Sequence, residues 1–168
     1  KLESYKIIDD DATNISRGEK YDFGVKYPNG GEKLIIRSRY PIKWIIGSPA
    51  MFFEKGENSM KGYWLAIWLI GKSGSRFFSG NIGPLTLEKL KYGAAEWTVP
   101  QRVSGGGDSF TPLPEGEYKI KLELYDRYPY IGHNFSPSIL TEDYLPKKLA
   151  EDESDNFFLI NFGNYIIN

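Results

Sequence analysis

The segment that most restricts how this 168-residue chain can fold is Tyr27-Pro28-Asn29-Gly30-Gly31-Glu32, followed after a short polar gap by Ile42-Lys43-Trp44. Apolar Val25 and Tyr27 lead into the turn, and Trp44 sits in an alternating strand on the way out. Pro28 fixes its own φ, while Asn29, Gly30 and Gly31 tolerate positive φ, so the chain must reverse sharply here. Such a turn between two strand-like stretches predicts the opening of a β-sandwich. The motif carries no catalytic group, which tilts the functional question toward binding or scaffolding.

The rest of the chain continues in the same manner. Ile42, Trp44 and Ile46 alternate with Pro41, Lys43 and Ile45, the period-two pattern of a half-buried strand. Tyr63 to Ile70 is apolar on both faces and reads as a central strand, with Trp64, Ala66 and Trp68 on one side and Leu65, Ile67 and Leu69 on the other. Arg76 to Ile82 and Glu96 to Val99 follow as strands, and Glu117 to Tyr125 alternates most regularly of all. Asn156 to Phe162 closes the fold, and Leu34 to Ile36 adds a short piece. About seven short strands without strong helices predict an all-β, Ig-like or fibronectin-III-like antiparallel sandwich.

One domain is expected over residues 21–168, preceded by an extension over residues 1–20 that can lend one edge strand. Long loops are expected at 47–62, 100–112 and 126–153, the last an insertion before the final strand. A helix from Thr141 to Leu149 is conceivable within it, with Pro146 limiting it.

Composition removes several function classes. The chain has no cysteine, which excludes disulfides, thiolate metal sites and cysteine nucleophiles, though not export. Net charge is -1 with lysines interspersed among acids, so the sequence shows no coherent basic patch of the kind nucleic acid needs. No run reaches the ~18 apolar residues of a membrane span. The chain starts at Lys1 without Met, which reads as a mature or trimmed piece of an exported protein.

In order along the chain stand the PNGGE turn, the Ile-Lys-Trp strand, a Trp-Thr-Val-Pro segment, a Gly-Glu-Tyr-Lys-Ile strand and a closing Asp-Glu-Ser-Asp-Asn-Phe-Phe-Leu-Ile. This order resembles the Ig-like domain of the Ser/Thr-rich, GPI-anchored fungal cell-wall protein family and its prokaryotic surface-protein relatives, over roughly Val25 to Ile160. The resemblance implies an extracellular or wall-associated Ig-like module and supplies no catalytic residues. Pro28, Gly30, Gly31, Trp44 and Trp97 are structural on this reading. Leu113-Pro114-Glu115-Gly116-Glu117-Tyr118 separately suggests a tyrosine corner, with Tyr118 bonding back across the preceding turn.

Candidate chemistry is sparse. His133 is the only histidine, and Ser136 and Ser138 lie too close in sequence to complete a persuasive triad with it. Asp9-Asp10-Asp11 and Asp152-Glu153-Ser154-Asp155 offer oxygens to Ca²⁺, but neither has EF-hand spacing, so no cofactor is expected. Gly105-Gly106-Gly107 lacks the Lys-Ser/Thr of a phosphate loop. Asn14 and Asn134 stand in glycosylation sequons.

The candidate ligand or partner surface is the aromatic part of the insertion: Tyr125, Arg127, Tyr128, Tyr130, His133, Phe135 and Tyr144. Aromatic rings among Asn, Asp and Arg suit sugar stacking and protein binding alike. Equally, the rings could pin the loop to the sandwich, and Met51, Phe52 and Phe53 could plug its end. The expected function is a non-enzymatic module of a cell-surface, cell-wall or appendage protein, acting in adhesion or assembly. Its partners would be protein or wall glycan, with self-assembly through edge strands as one route. The alternative is a carbohydrate-binding module using Tyr128, Tyr130 and Trp97.

Overall fold

The computed structural model describes residues 23–47, 62–105, 109–129 and 145–163. They form two β-sheets packed face to face. Strands β1 (Phe23–Tyr27), β3 (Arg39–Ile46) and β6 (Ala94–Thr98) make the small sheet, in the order β1-β3-β6. The large sheet runs β2-β11-β9-β4-β5-β7-β8, from β2 (Lys33–Ile35), β11 (Phe158–Asn161), β9 (Gly116–Tyr125), β4 (Tyr63–Gly71), β5 (Arg76–Leu85), β7 (Arg102–Ser104) and β8 (Phe110–Pro112). Strand β10 (Lys148–Glu153) pairs with β9 as well.

Seven strand positions carry the sandwich: β1, β3, β4, β5, β6, β9 and the β10–β11 pair, which follow one another along a single edge of β9. The three-residue strands β2, β7 and β8 are additions. All pairings are antiparallel except β2 with β11. A two-sheet sandwich with the penultimate strand beside the third is the Ig-like arrangement.

The alternation in the sequence explains the core. Leu65, Ile67 and Leu69 on β4 stand opposite Leu124, Leu122 and Ile120 on β9, and all six are at most 1% exposed. They meet Val25, Ile42, Trp44 and Trp97 from the small sheet in one cluster. The indole Nε1 of Trp97 on β6 donates to Ser79 Oγ on β5 at 2.9 Å, a polar clasp between the sheets. Trp44 Nε1 donates to the Leu90 carbonyl at 2.9 Å, tying β3 to a short helix.

That helix, α1 (Leu87–Tyr92), was not expected, although Thr86 and Gly93 bracket it as capping residues do. Thr86 Oγ1 accepts from the Lys89 N–H, and Gly93 closes the helix in the left-handed conformation, φ 70°. The insertion before the last strand is also shorter than residues 126–153, because Lys148–Glu153 is strand β10 and not the end of a helix. Its run of Lys, Glu and Asp is held extended by pairing with β9, where tertiary context overrides local propensity. Residues 141–144, and the extension over residues 1–20, lie outside the described residues. The loop expected over 100–112 likewise contains β7 and β8.

Candidate functional site

The PNGGE turn carries the chain from the small sheet, where β1 lies, to the large one, where β2 lies. Glu32 folds back under it: Oε1 accepts from the Asn29 N–H at 2.9 Å and Oε2 from the Gly30 N–H at 2.7 Å. The turn then docks on the closing segment. Asn29 Nδ2 donates to Asp155 Oδ2 and Asn29 Oδ1 accepts from the Asp155 N–H, at 3.0 and 2.8 Å. The Gly31 N–H reaches the Phe157 carbonyl and the Leu159 N–H the Glu32 carbonyl. The residues at the two ends of the family resemblance are therefore one contact. Pro28 is buried there, behind a cis Tyr27–Pro28 bond.

Acidic residues near the end of the chain are engaged in the same framework. Asp152 Oδ2 accepts from the Val25 N–H at 2.7 Å, joining β10 to β1. Ser154, 1% exposed, fills the break between β10 and β11: its N–H donates to the Ile120 carbonyl, and its Oγ accepts from the Ile120 N–H. Among the described residues no three His, Cys, Asp or Glu side chains stand where they could hold a metal ion. Asp9 to Asp11 lie outside them.

At the start of β9 the Tyr118 hydroxyl donates to the Pro114 carbonyl at 2.7 Å, across the turn that precedes the strand. Burial raises its pKa above the ordinary phenol value.

Of the aromatic insertion, Tyr125, Arg127 and Tyr128 are described, and all three are turned to packing or pairing. Tyr128 meets Trp64 edge to face with ring centroids 4.8 Å apart. Arg127 pairs with its neighbour Asp126, Nε to Oδ1 at 3.1 Å and NH2 to Oδ2 at 3.0 Å. Asp126 also pinches the base of the insertion, since its N–H donates to the Lys147 carbonyl and its Oδ1 accepts from the Lys147 N–H. Tyr130, His133, Phe135 and Tyr144 lie outside the described residues, as do Met51 to Phe53 and both sequons. Trp97 is 5% exposed behind its bond to Ser79, so it offers no face to a sugar.

Tyr125 belongs to a cluster that the sequence did not announce. On the outer face of the large sheet Glu123 is only 4% exposed. Its Oε2 accepts from Trp68 Nε1 at 2.9 Å and from the Tyr125 hydroxyl at 3.0 Å, and its Oε1 from Arg76 at 2.9 Å. Arg76 lies over the Trp68 ring, 4.0 Å from its centroid. A buried carboxylate needs such company, because stripping water from an unpaired charge costs several kcal/mol. Burial first, and then the neighbouring Glu123, push the Tyr125 phenol far above its usual range. Lys121 and Lys148 join through Glu151, whose carboxyl the Lys148 ammonium holds below the ordinary range.

The outer face of the small sheet is organised differently. An open groove of about 420 Å³ lies over the paired strands β3 and β6, lined by Arg39, Tyr40 and Pro41 of the one and Ala94 and Glu96 of the other. Tyr92 stands at its end, 80% exposed. Arg39 and Glu96 pair across it at 3.1 Å, both well solvated. The Tyr40 hydroxyl accepts from the Ile35 N–H at 3.0 Å. Sequence reading missed this groove because β3 lies some fifty residues from the α1–β6 segment that completes it. The Thr86…Gly93 capping pattern was the one signal that could have placed Tyr92 at the end of a helix.

No family model, no curated protein and no solved structure matches this chain. No helix among the described residues is long and apolar enough to cross a membrane.

Proposed function

We propose that this chain is a non-enzymatic Ig-like module of a cell-surface, cell-wall or appendage protein, acting in adhesion or assembly. The observation that carries this reading is how its polar groups are used. Glu32, Asp126, Asp152 and Glu123 spend their oxygens on backbone N–H groups or on neighbouring side chains of the sandwich itself. Side chains free to meet a partner include, on the outer face of the small sheet, Ile45 and Tyr92, exposed on the same sheet as Lys26 and Lys43. Sandwich domains commonly bind through such faces, edges and end loops.

The test is cross-linking and size-exclusion chromatography of the chain at rising concentration, together with a binding assay on whole cells and isolated walls. Self-association or retention on cells is the expected result. A strict monomer retained by neither would overturn the proposal. A second reading, a carbohydrate-binding module, is favoured by the groove beneath Tyr92, which pairs an exposed ring with the hydrogen-bonding groups of Arg39 and Glu96.

A further inference from the structure

We infer that the groove over β3 and β6 binds the sugar rings of an acidic, carboxylate-bearing polysaccharide. This rests on reading the chain as a surface-binding module and names the ligand class of that module. Tyr92 is the first observation. Its ring is the most exposed large apolar group among the described residues, and its support is rigid. Gly93, next in the chain, is locked against β3: its carbonyl accepts from the Trp44 N–H at 2.7 Å, and a Cβ there would stand 2.3 Å from the Trp44 carbonyl oxygen. A solvated aromatic face carried on an anchored backbone is what the apolar C–H face of a pyranose covers, gaining dispersion and burial.

Charge is the second. On the outer face of β5, β9 and β10 each cation is answered: Arg76 by Glu123, Lys119 by Glu153, and Lys121 and Lys148 by Glu151. The small sheet is not balanced in this way. Strand alternation puts Arg39 and Lys43 on its outer side, opposite the core-facing Ile42 and Trp44, and Lys26 is exposed at the irregularity in β1 opposite Lys43. Glu96 is the only carboxylate on these three strands, and it is engaged by Arg39. Among the described residues no carboxylate lies within ion-pair distance of Lys26 or Lys43. Lys43 is the register partner of Ala94, which lines the groove, and so stands on the same outer face beside it.

The third is size. A groove of about 420 Å³ falls within the range of small-ligand sites and suits a short stretch of a sugar chain. A neutral glycan would leave the lysines uncompensated, and an acidic peptide would not need the flat ring of Tyr92. A uronic-acid chain satisfies both, with rings for stacking and a carboxylate on each residue.

Affinity electrophoresis of the full chain through gels containing polygalacturonate tests this, with neutral dextran and poly-glutamate as comparison gels. Retardation by polygalacturonate alone is expected, weakening as salt rises. Tyr92→Ala and Lys43→Gln should each weaken it about ten-fold with melting temperature unchanged, since both side chains are exposed. No retardation, equal retardation by dextran or poly-glutamate, or full retention in Tyr92→Ala would each overturn the assignment. If polygalacturonate is not bound but the chain still self-associates or adheres to cells, the groove assignment alone falls; if it does none of these, both fall.

Discussion

Gly30 and Asn156 approach so closely that Gly30 has no room for a side chain: a Cβ would sit 2.3 Å from the Asn156 Cβ. At φ 129°, Gly30 also occupies backbone territory that other residues adopt only under strain. Its neighbour Gly31 has φ 81° and open space where a Cβ would go. Gly30→Ala should therefore cost about 3 kcal/mol, from strain and overpacking together, and Gly31→Ala about 1 kcal/mol from the left-handed backbone alone. Urea denaturation of the two variants checks this; equal losses would show that the docking of the turn on the closing segment does not matter.

Tyr118 holds the Pro114 carbonyl through a hydroxyl that phenylalanine lacks. Tyr118→Phe keeps the ring in the core and leaves that carbonyl without its partner. The expected loss is about 1 kcal/mol, measurable as a fall in melting temperature. An unchanged melting temperature would remove the bond from the list of things that stabilise the fold.

Glu123 and Glu96 form ion pairs of similar length with arginines, 2.9 and 3.1 Å, in opposite surroundings. The first is buried among Trp68, Tyr125 and Arg76, whereas the second stands in solvent. Glu123→Ala should cost roughly 2–3 kcal/mol, because the Trp68 N–H and the Tyr125 hydroxyl lose the acceptor they share while the half-exposed Arg76 can turn to water. Glu96→Ala should cost less than about 1 kcal/mol. Chemical denaturation of both variants in the same buffer decides it, and comparable values would mean that Glu123 is solvated in the folded protein.

Alkaline pH should unfold the domain through its tyrosines. Tyr125 has its pKa raised by burial and then by Glu123, and Tyr118 and Tyr63 are raised by burial first. In the unfolded chain these phenols ionise near their ordinary value of about 10, while the folded state keeps them protonated. The folded state thus binds more protons above that pH, so the stability these tyrosines contribute is fully present below about pH 10 and is lost above it. Tyr125→Phe should make the decline shallower, as read from denaturation midpoints between pH 9 and 11 and from phenolate absorbance. An identical slope in that variant would show that Tyr125 titrates normally.

The strands of the core were legible because their side chains alternate with burial. Tyr118, Ile120, Leu122 and Leu124 could hardly be read otherwise, and they stand in the core. Strand β10 was hidden because Lys-Leu-Ala-Glu-Asp-Glu has no apolar alternation of its own and gains its conformation from β9. Glu123 was hidden for the opposite reason. It continues the polar series Lys119, Lys121, Glu123 on the outer face and reads as one more solvated charge. Only register, which puts Ala66 opposite it and brings Trp68 and Tyr125 over it, turns that position into an interior one. The groove needs the packing of α1 beside β3 and β6, which no local pattern encodes.

The pinch between Asp126 and Lys147 has a consequence for how this protein can change. One backbone bond and one bond from the Lys147 N–H to the Asp126 carboxylate close the chain at the rim of the sheet. The chain thereby leaves and rejoins the sandwich at one point, like a cassette held in a clip. Loop closure becomes only slowly more costly with length, about 0.6 kcal/mol per doubling. Replacing the stretch between 130 and 144 with a longer or unrelated one should then leave the sandwich standing, so that new binding properties can be acquired there while the fold is inherited intact.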